Sequence, residues 1–247
     1  MLSGWLGASA TAGASSGLRD ASPCGYAVVD LEATGSSPRR HRIVEVGVVL
    51  LDRDLRSQGE FSTLVDPLGP VGPTHIHGIG AGDVVGAPRF AEISWHLLGL
   101  LRGRVLVGHH VACDRGFLAA EFSRLGVDLP PVPTLCTMRL AADHLPGLAS
   151  PSLRACCAAA GLPRFAPHTA LGDARATAGL LRRYAALATG CSGRTRPAAW
   201  NQALSEAAGL RWPGRGAPGV PRGPGGAGSA RNARGPVMVP TARKGDA

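Results

Sequence analysis

Four carboxylates and one histidine stand in three short stretches of this chain: Asp30-Leu31-Glu32-Ala33-Thr34-Gly35, Gly108-His109-His110-Val111-Ala112-Cys113-Asp114 and His168-Thr169-Ala170-Leu171-Gly172-Asp173-Ala174. Asp30 and Glu32 are two residues apart after an apolar run, so on a strand their side chains share a face. Two acids on one face repel unless a cation lies between them; an isolated Asp-x-Glu is otherwise an ordinary acidic strand end. Asp114 and Asp173 each open a helical pattern, where an Asp taken alone reads equally well as an N-terminal cap. His168 stands on a loop, and a lone loop histidine is commonly a surface residue. Near neutral pH it can also accept a proton from an attacking water. As a set, the acids suit hard divalent cations such as Mg²⁺ or Mn²⁺, which take oxygen ligands and retain several waters. Two such ions about 4 Å apart stabilise both the attacking and the leaving oxygen of an in-line phosphodiester displacement.

The elements that must carry these residues follow from the surrounding pattern. Tyr26 to Val29 is a short β-rich run that delivers Asp30, Ile43 to Leu51 is a longer one, and Phe61 to Val65 a third. Asp52-Arg53-Asp54 reads as a turn, which makes the second and third strands antiparallel. A helical stretch over 91–101 precedes Val105 to Val107, a strand that delivers Gly108 and His109. Helical spacing recurs over 115–125, with Thr134 to Cys136 as a short fifth strand and two final helices over 152–160 and 174–187. Three strands followed by strand–helix alternation predict an α/β fold.

Charge and composition divide the chain of 247 residues into three parts. Residues 1–22 are Gly/Ala/Ser-rich and expected to be a disordered extension. Residues 23–190 carry the packed domain, with 17 Arg against 15 acids over residues 1–190. Residues 191–247 hold 9 Lys/Arg against 2 acids in Gly/Pro-rich sequence, and are expected to be a disordered basic tail. Such a tail suits a polyanion, whose counterions it displaces; a solubilising role fits equally well. Within it, Trp200, Leu204 and Ala207 are spaced as one apolar face of a short helix, which can dock on a partner, fold back on the domain or have no role. The six cysteines include no Cys-x-x-Cys pair, so a zinc site is not expected, and reduced thiols in a cytoplasmic protein are the simplest reading. The first basic residue is Arg19, a poor fit to a signal peptide, and no run of 18 apolar residues suggests a membrane span.

Taken in order, the three stretches resemble the motifs of the DEDD superfamily of 3′→5′ exonucleases in its histidine-containing (DEDDh) branch. That branch includes the proofreading epsilon subunit of bacterial DNA polymerase III, ribonuclease T and oligoribonuclease. Asp30 to Gly35 match its Asp-x-Glu-x-Thr-Gly motif, and His168 to Ala174 its His-x-Ala-x-x-Asp-Ala motif. The middle motif, commonly Gly-His-Asn-x-x-Phe-Asp, is matched by Gly108, His109 and Asp114, with His110 and Cys113 in place of Asn and Phe. The resemblance covers about residues 24–188 and implies a ribonuclease-H-like fold, a mixed five-stranded sheet flanked by helices.

The same resemblance implies that Asp30, Glu32, Asp114 and Asp173 hold two divalent ions and that His168 is the general base. It places the terminal nucleotide at Thr34 and Gly35, where Thr34 competes as a cap, and puts His77, His109 and His110 near the substrate. His77 reads as readily as a structural loop residue, and His109 as one that orients its loop. The implied reaction releases nucleoside 5′-monophosphates from a nucleic acid 3′ end, with DNA favoured over RNA and a DNA polymerase or other replication or repair protein as partner. Gly172-Asp173-Ala174-Arg175-Ala176-Thr177 lies nearer the proofreading pattern. Two alternatives stand beside it: an exonuclease of RNA ends or short oligoribonucleotides, and a non-catalytic nucleic-acid-binding protein of the same fold. The intact acids and His168 weigh against the latter.

Overall fold

The computed structural model describes residues 24–165, 167–190 and 197–214. Its centre is a five-stranded sheet in the order β3-β2-β1-β4-β5. β1 (Gly25–Ala33), β2 (Ile43–Asp52) and β3 (Ser57–Leu64) form an antiparallel meander. β4 (Arg104–Gly108) and β5 (Thr134–Cys136) add in parallel to the other side of β1, so the sheet is mixed. Asp52 closes the β2–β3 turn, accepting the backbone N–H groups of Asp54 and Arg56 at 2.8 Å each.

Because successive strand residues point to opposite faces, β1 feeds two cores. Tyr26 and Val28 pack on one face with Val49, Leu51, Val107 and, from the long helix α6 (Ala170–Gly190), Ala174, Ala178 and Leu181. Ala27 and Val29 pack on the other with Val48, Leu50, Phe61, Leu97, Leu118 and Phe122. Helices therefore cover both sides. The short α1 (Thr74–His77) precedes α2 (Phe90–Leu101) and α3 (Val111–Arg124), which supply the second core. α4 (Thr137–His144), α5 (Leu153–Ala159) and α6 cover the first. Strand and helix positions follow the sequence pattern, except that the pattern does not predict α1 or α4 and that β3, α3 and α6 each start four residues early, at Ser57, Val111 and Ala170.

The expected domain end at residue 190 needs correction. α7 (Ala198–Gly209) lies inside the segment assigned to a disordered tail, and its Trp200, Ala203, Leu204 and Ala207 are buried in the α6-side core. Leu210 and Trp212 then pack against the opposite core, and Arg102 Nη2 donates to the Pro213 carbonyl at 2.8 Å. The apolar spacing at 200, 204 and 207 thus marks a helix that folds back on the domain. The extension over 1–22, Cys191 and the tail beyond 214 lie outside the described residues. Cys24, Cys113, Cys136, Cys156 and Cys157 are free thiols. Among the described residues, no helix is long and apolar enough to cross a membrane.

Candidate active site

Asp30 and Glu32 continue the alternation of Tyr26 and Val28, so both face α6 from the C-terminal end of β1. Register with β2 slips just after Glu32, and such irregularities commonly re-aim side chains beside functional sites. Asp173 comes down from the first turn of α6, and Asp114 from the first turn of α3. The four acids, 143 residues apart from first to last, converge because β1 lies between the two helix starts.

Ligand atoms of Glu32, His168 and Asp173 all lie within 4.8 Å of one another. The His168 backbone N–H donates to Asp173 Oδ2 at 3.2 Å, while Asp173 Oδ1 is buried with no hydrogen-bond partner. Asp114 is buried and accepts the Leu31 backbone N–H. Gly108 makes that close approach feasible: a Cβ there would lie 2.9 Å from Asp114 Oδ2. His168 itself is exposed, with φ of 64°, a left-handed conformation that non-glycine residues adopt at a cost.

Crowded, buried acids hold their protons tightly. Burial, then the charges of Asp114, Asp173 and Glu32, push Asp30 well above the usual carboxylate range. Burial, then Asp173 and Glu45, lift Glu32 to about 7. Asp114 is lifted to about 7, chiefly by burial, and burial also raises Asp173. A divalent cation would supply the missing counter-charge, and a donor set of carboxylate oxygens suits Mg²⁺ or Mn²⁺. The orphaned Asp173 Oδ1 supports the same fit.

The remaining expected residues divide. Thr34 Oγ1 accepts the Arg42 N–H at 3.0 Å, and the Thr34 N–H donates to the Arg42 carbonyl at 2.9 Å, so Thr34 closes the β1–β2 loop. Gly35 lies under the His41 ring, where a Cβ would come within 2.6 Å of Nε2. His77 is buried, and its Nδ1 accepts the Ile79 N–H at 3.0 Å, which makes it a turn-forming residue. For His109 the substrate-contact expectation is corrected: Nδ1 pairs with Thr137 Oγ1 at 3.0 Å and Nε2 with the Pro151 carbonyl at 2.7 Å, leaving neither nitrogen for a ligand. It fastens the β4 end to α4 and the loop before α5. His110, by contrast, is exposed at the N-terminus of α3 and makes no cap bond.

Sequence reasoning missed two acids. Glu121 is buried on α3 and forms a bidentate pair with Arg42, Nε at 2.7 Å and Nη2 at 3.0 Å, with Arg124 at 3.3 Å. Glu45 on β2 stands opposite Glu32 and accepts the Ala170 N–H at 2.9 Å. The signal for Glu45 was a lone acid inside the apolar run Ile43-Val44-Glu45-Val46-Gly47.

A mixed sheet that delivers clustered acids from strand ends and helix starts defines the ribonuclease-H-like class of nucleases. Within it, the chain belongs to the RNase_T exonuclease family, whose model matches residues 27–181. The DNA polymerase III epsilon subunit of Aquifex aeolicus is 31% identical over 156 residues, covering 62% of this chain and 76% of that protein. The PolC-type DNA polymerase III of Clostridium perfringens is 33% identical over 159 residues, covering 64% of this chain but 11% of the polymerase. Among solved structures, exonuclease X in complex with 5′ overhanging duplex DNA superposes with a TM-score of 0.54 at 26% identity, covering 74% of this chain and 99% of that one. This chain thus spans only a small part, 11% to 26%, of several curated relatives it matches.

Proposed function

We propose that this protein is a divalent-metal-dependent 3′→5′ exonuclease that releases nucleoside 5′-monophosphates, acting on DNA in proofreading or repair. The observation that carries this reading is the convergence of Glu32, His168 and Asp173 within 4.8 Å, beside Asp30 and Asp114. Asp30, Glu32, Asp114 and Asp173 would hold two Mg²⁺ or Mn²⁺ ions. When bound, the ions supply positive charge at the scissile phosphodiester and favour ionised oxygen nucleophiles. His168, exposed at the rim, takes the proton from the attacking water. Its left-handed backbone and the backbone contact to Asp173 keep the ring within reach of Glu32 and Asp173. Gly35 and the exposed His110 would contact the terminal nucleotide. The names of the relatives favour DNA and point to a polymerase or another replication or repair protein as partner. Cytoplasmic location accords with such a role.

The test is direct. The full chain is incubated with end-labelled single-stranded DNA, mismatched duplex DNA and short RNA, with Mg²⁺, with Mn²⁺ and with chelator. Stepwise loss of 5′-mononucleotides from DNA 3′ ends is expected, fastest without a paired terminus and absent in chelator. Asp30→Ala and Asp173→Ala should each lower the rate by about 10²-fold or more, as loss of a transition-state stabiliser does. Faster cleavage of RNA would replace the DNA assignment with the RNA-end reading. No hydrolysis of any substrate would leave the non-catalytic binding reading.

A further inference from the structure

Four residues of the sheet form a two-by-two patch under the start of α6. Asp30 pairs with Gly47, and Glu32 with Glu45, across the antiparallel β1–β2 register. All four side-chain positions are on the α6-facing side, because Val49 and Leu51 share that parity and that core. The β1 half of the patch carries the two acids of the proposed metal site. The β2 half carries a carboxylate and a gap.

The helix start fits that half closely. Glu45 Oε2 accepts the Ala170 N–H at 2.9 Å, one of the first-turn donors that a helix leaves without an internal partner. A charged acceptor there also meets the positive end of the helix dipole. At Gly47 a Cβ would lie 2.2 Å from the Ala170 carbonyl carbon and 2.4 Å from the Leu171 nitrogen, so only glycine lets the first turn settle this low. Ala170 is three residues before Asp173 and two after His168. A third acid beside Glu32 and Asp173 is electrostatically unfavourable: burial raises Glu45, and Asp173 raises it further. A carboxylate kept in such a place needs a compensating contact, and the Ala170 N–H is the one it makes.

We infer that Glu45 and Gly47 are positioning residues, a hook and a notch that seat the first turn of α6 so that Asp173 and His168 meet Glu32 at ligand distance beside Asp30. This rests on the exonuclease reading for its meaning, but its test does not. Outer partners of ligands typically alter metal affinity by 10–100-fold when removed.

The experiment uses the full chain, with Mn²⁺ binding followed by calorimetry without nucleic acid, and kcat and KM measured separately on single-stranded DNA. Glu45→Ala should weaken Mn²⁺ binding by about tenfold or more and lower kcat with little change in KM. Glu45→Gln keeps an acceptor for Ala170 and should recover to within about threefold of wild type, since outer-sphere orientation is restored. Gly47→Ala should reproduce Glu45→Ala by lifting the helix. Glu60→Gln breaks the Arg175–Glu60 pair, which ties α6 to β3 at 2.6 Å without touching the patch, and should leave Mn²⁺ affinity unchanged.

Unchanged Mn²⁺ affinity in Glu45→Ala would overturn the inference. Equal damage from Glu60→Gln would overturn it too, by showing that any loosening of α6 suffices. A glutamine variant as impaired as the alanine one would assign the effect to charge and remove the hook. If Gly47→Ala does not fold, the Glu45 pair still decides. A wild-type chain that binds Mn²⁺ but cleaves nothing sinks the exonuclease reading alone, because the seat is judged on the binding isotherm. A wild-type chain that binds no Mn²⁺ overturns both.

Discussion

Replacing Glu32 with glutamine should make the metal-free protein more stable while removing its activity. Glu32 lies among acids, and burial, Asp173 and Glu45 raise it from the usual 4.5 to about 7. Each pH unit of such displacement is worth about 1.4 kcal/mol, which sets an upper limit of about 3 kcal/mol once the group is ionised. Glu32 is only partly buried, and solvent screening at least halves that figure, leaving about 1.5 kcal/mol. The sign follows from proton binding. Between about pH 4.5 and 7 the native state keeps the proton that the unfolded chain has lost, so stability falls as pH rises through this window. Glutamine is isosteric and has no proton to lose. In chelator, wild type and Glu32→Gln should therefore melt alike at pH 4, and the variant should melt about 3–6 °C higher at pH 8, at ~2–4 °C per kcal/mol for a domain of this size. Saturating Mn²⁺ at pH 8 should reverse the order by stabilising only the wild type. Differential scanning calorimetry reads both. A wild type that gains stability relative to the variant as pH rises, still in chelator, would refute the electrostatic account of the site.

Three further outcomes are expected. His168→Ala should lower kcat by roughly 10²–10⁴-fold, with partial recovery as pH rises, and a pH–rate profile identical to wild type would exclude His168 from proton transfer. Trp200→Ala should cost about 3–5 kcal/mol in urea unfolding, since it empties the largest fully buried side chain of the packed α7 face, and a chain cut at residue 190 should be destabilised at least as much. A chain ending at residue 214 should keep its fold and its rate on short substrates. It should bind long single strands with a shallower salt dependence, by about 0.7 for each phosphate no longer neutralised, and an unchanged slope would mean that Arg215, Arg222, Arg231, Arg234, Arg243 and Lys244 do not touch nucleic acid.

Most of the carboxylate cluster was legible because its members end strands or open helices, where an acid interrupts an apolar pattern that is easy to see. Asp30 and Glu32 are the plainest case. Glu45 was not legible in the same way. A single acid in a strand reads as an exposed position, and only the β1–β2 register puts it beneath the α6 N-terminus. α4 escapes notice because Thr-Met-Arg-Leu-Ala-Ala-Asp-His buries only Thr137 and Ala141, too few apolar positions to show a period. The start of α3 gives no capping signal in the sequence, since His110 at its N-cap position makes no side-chain cap bond. His109 shows the converse limit: its type and motif position suggest a ligand contact, yet its two ring nitrogens are committed to groups 28 and 42 residues away. α7 is visible as a pattern, but spacing alone does not say which surface it covers.

Docking α7 fixes where the basic tail begins. Pro213 is tied to Arg102, two residues before β4 starts, whereas Asp30, Glu32 and Asp114 gather at the opposite end of the parallel β1–β4 pair. The five residues of β4 alone span about 17 Å. At about 3.4 Å per nucleotide of a stacked strand, that separation is about five nucleotides. A strand that occupies the carboxylates with its 3′ end and also meets the root of the tail must therefore be longer than about five residues. Should the residues beyond 214 bind nucleic acid, as the salt-slope measurement decides, strands shorter than about five nucleotides would fall short of their root at Pro213.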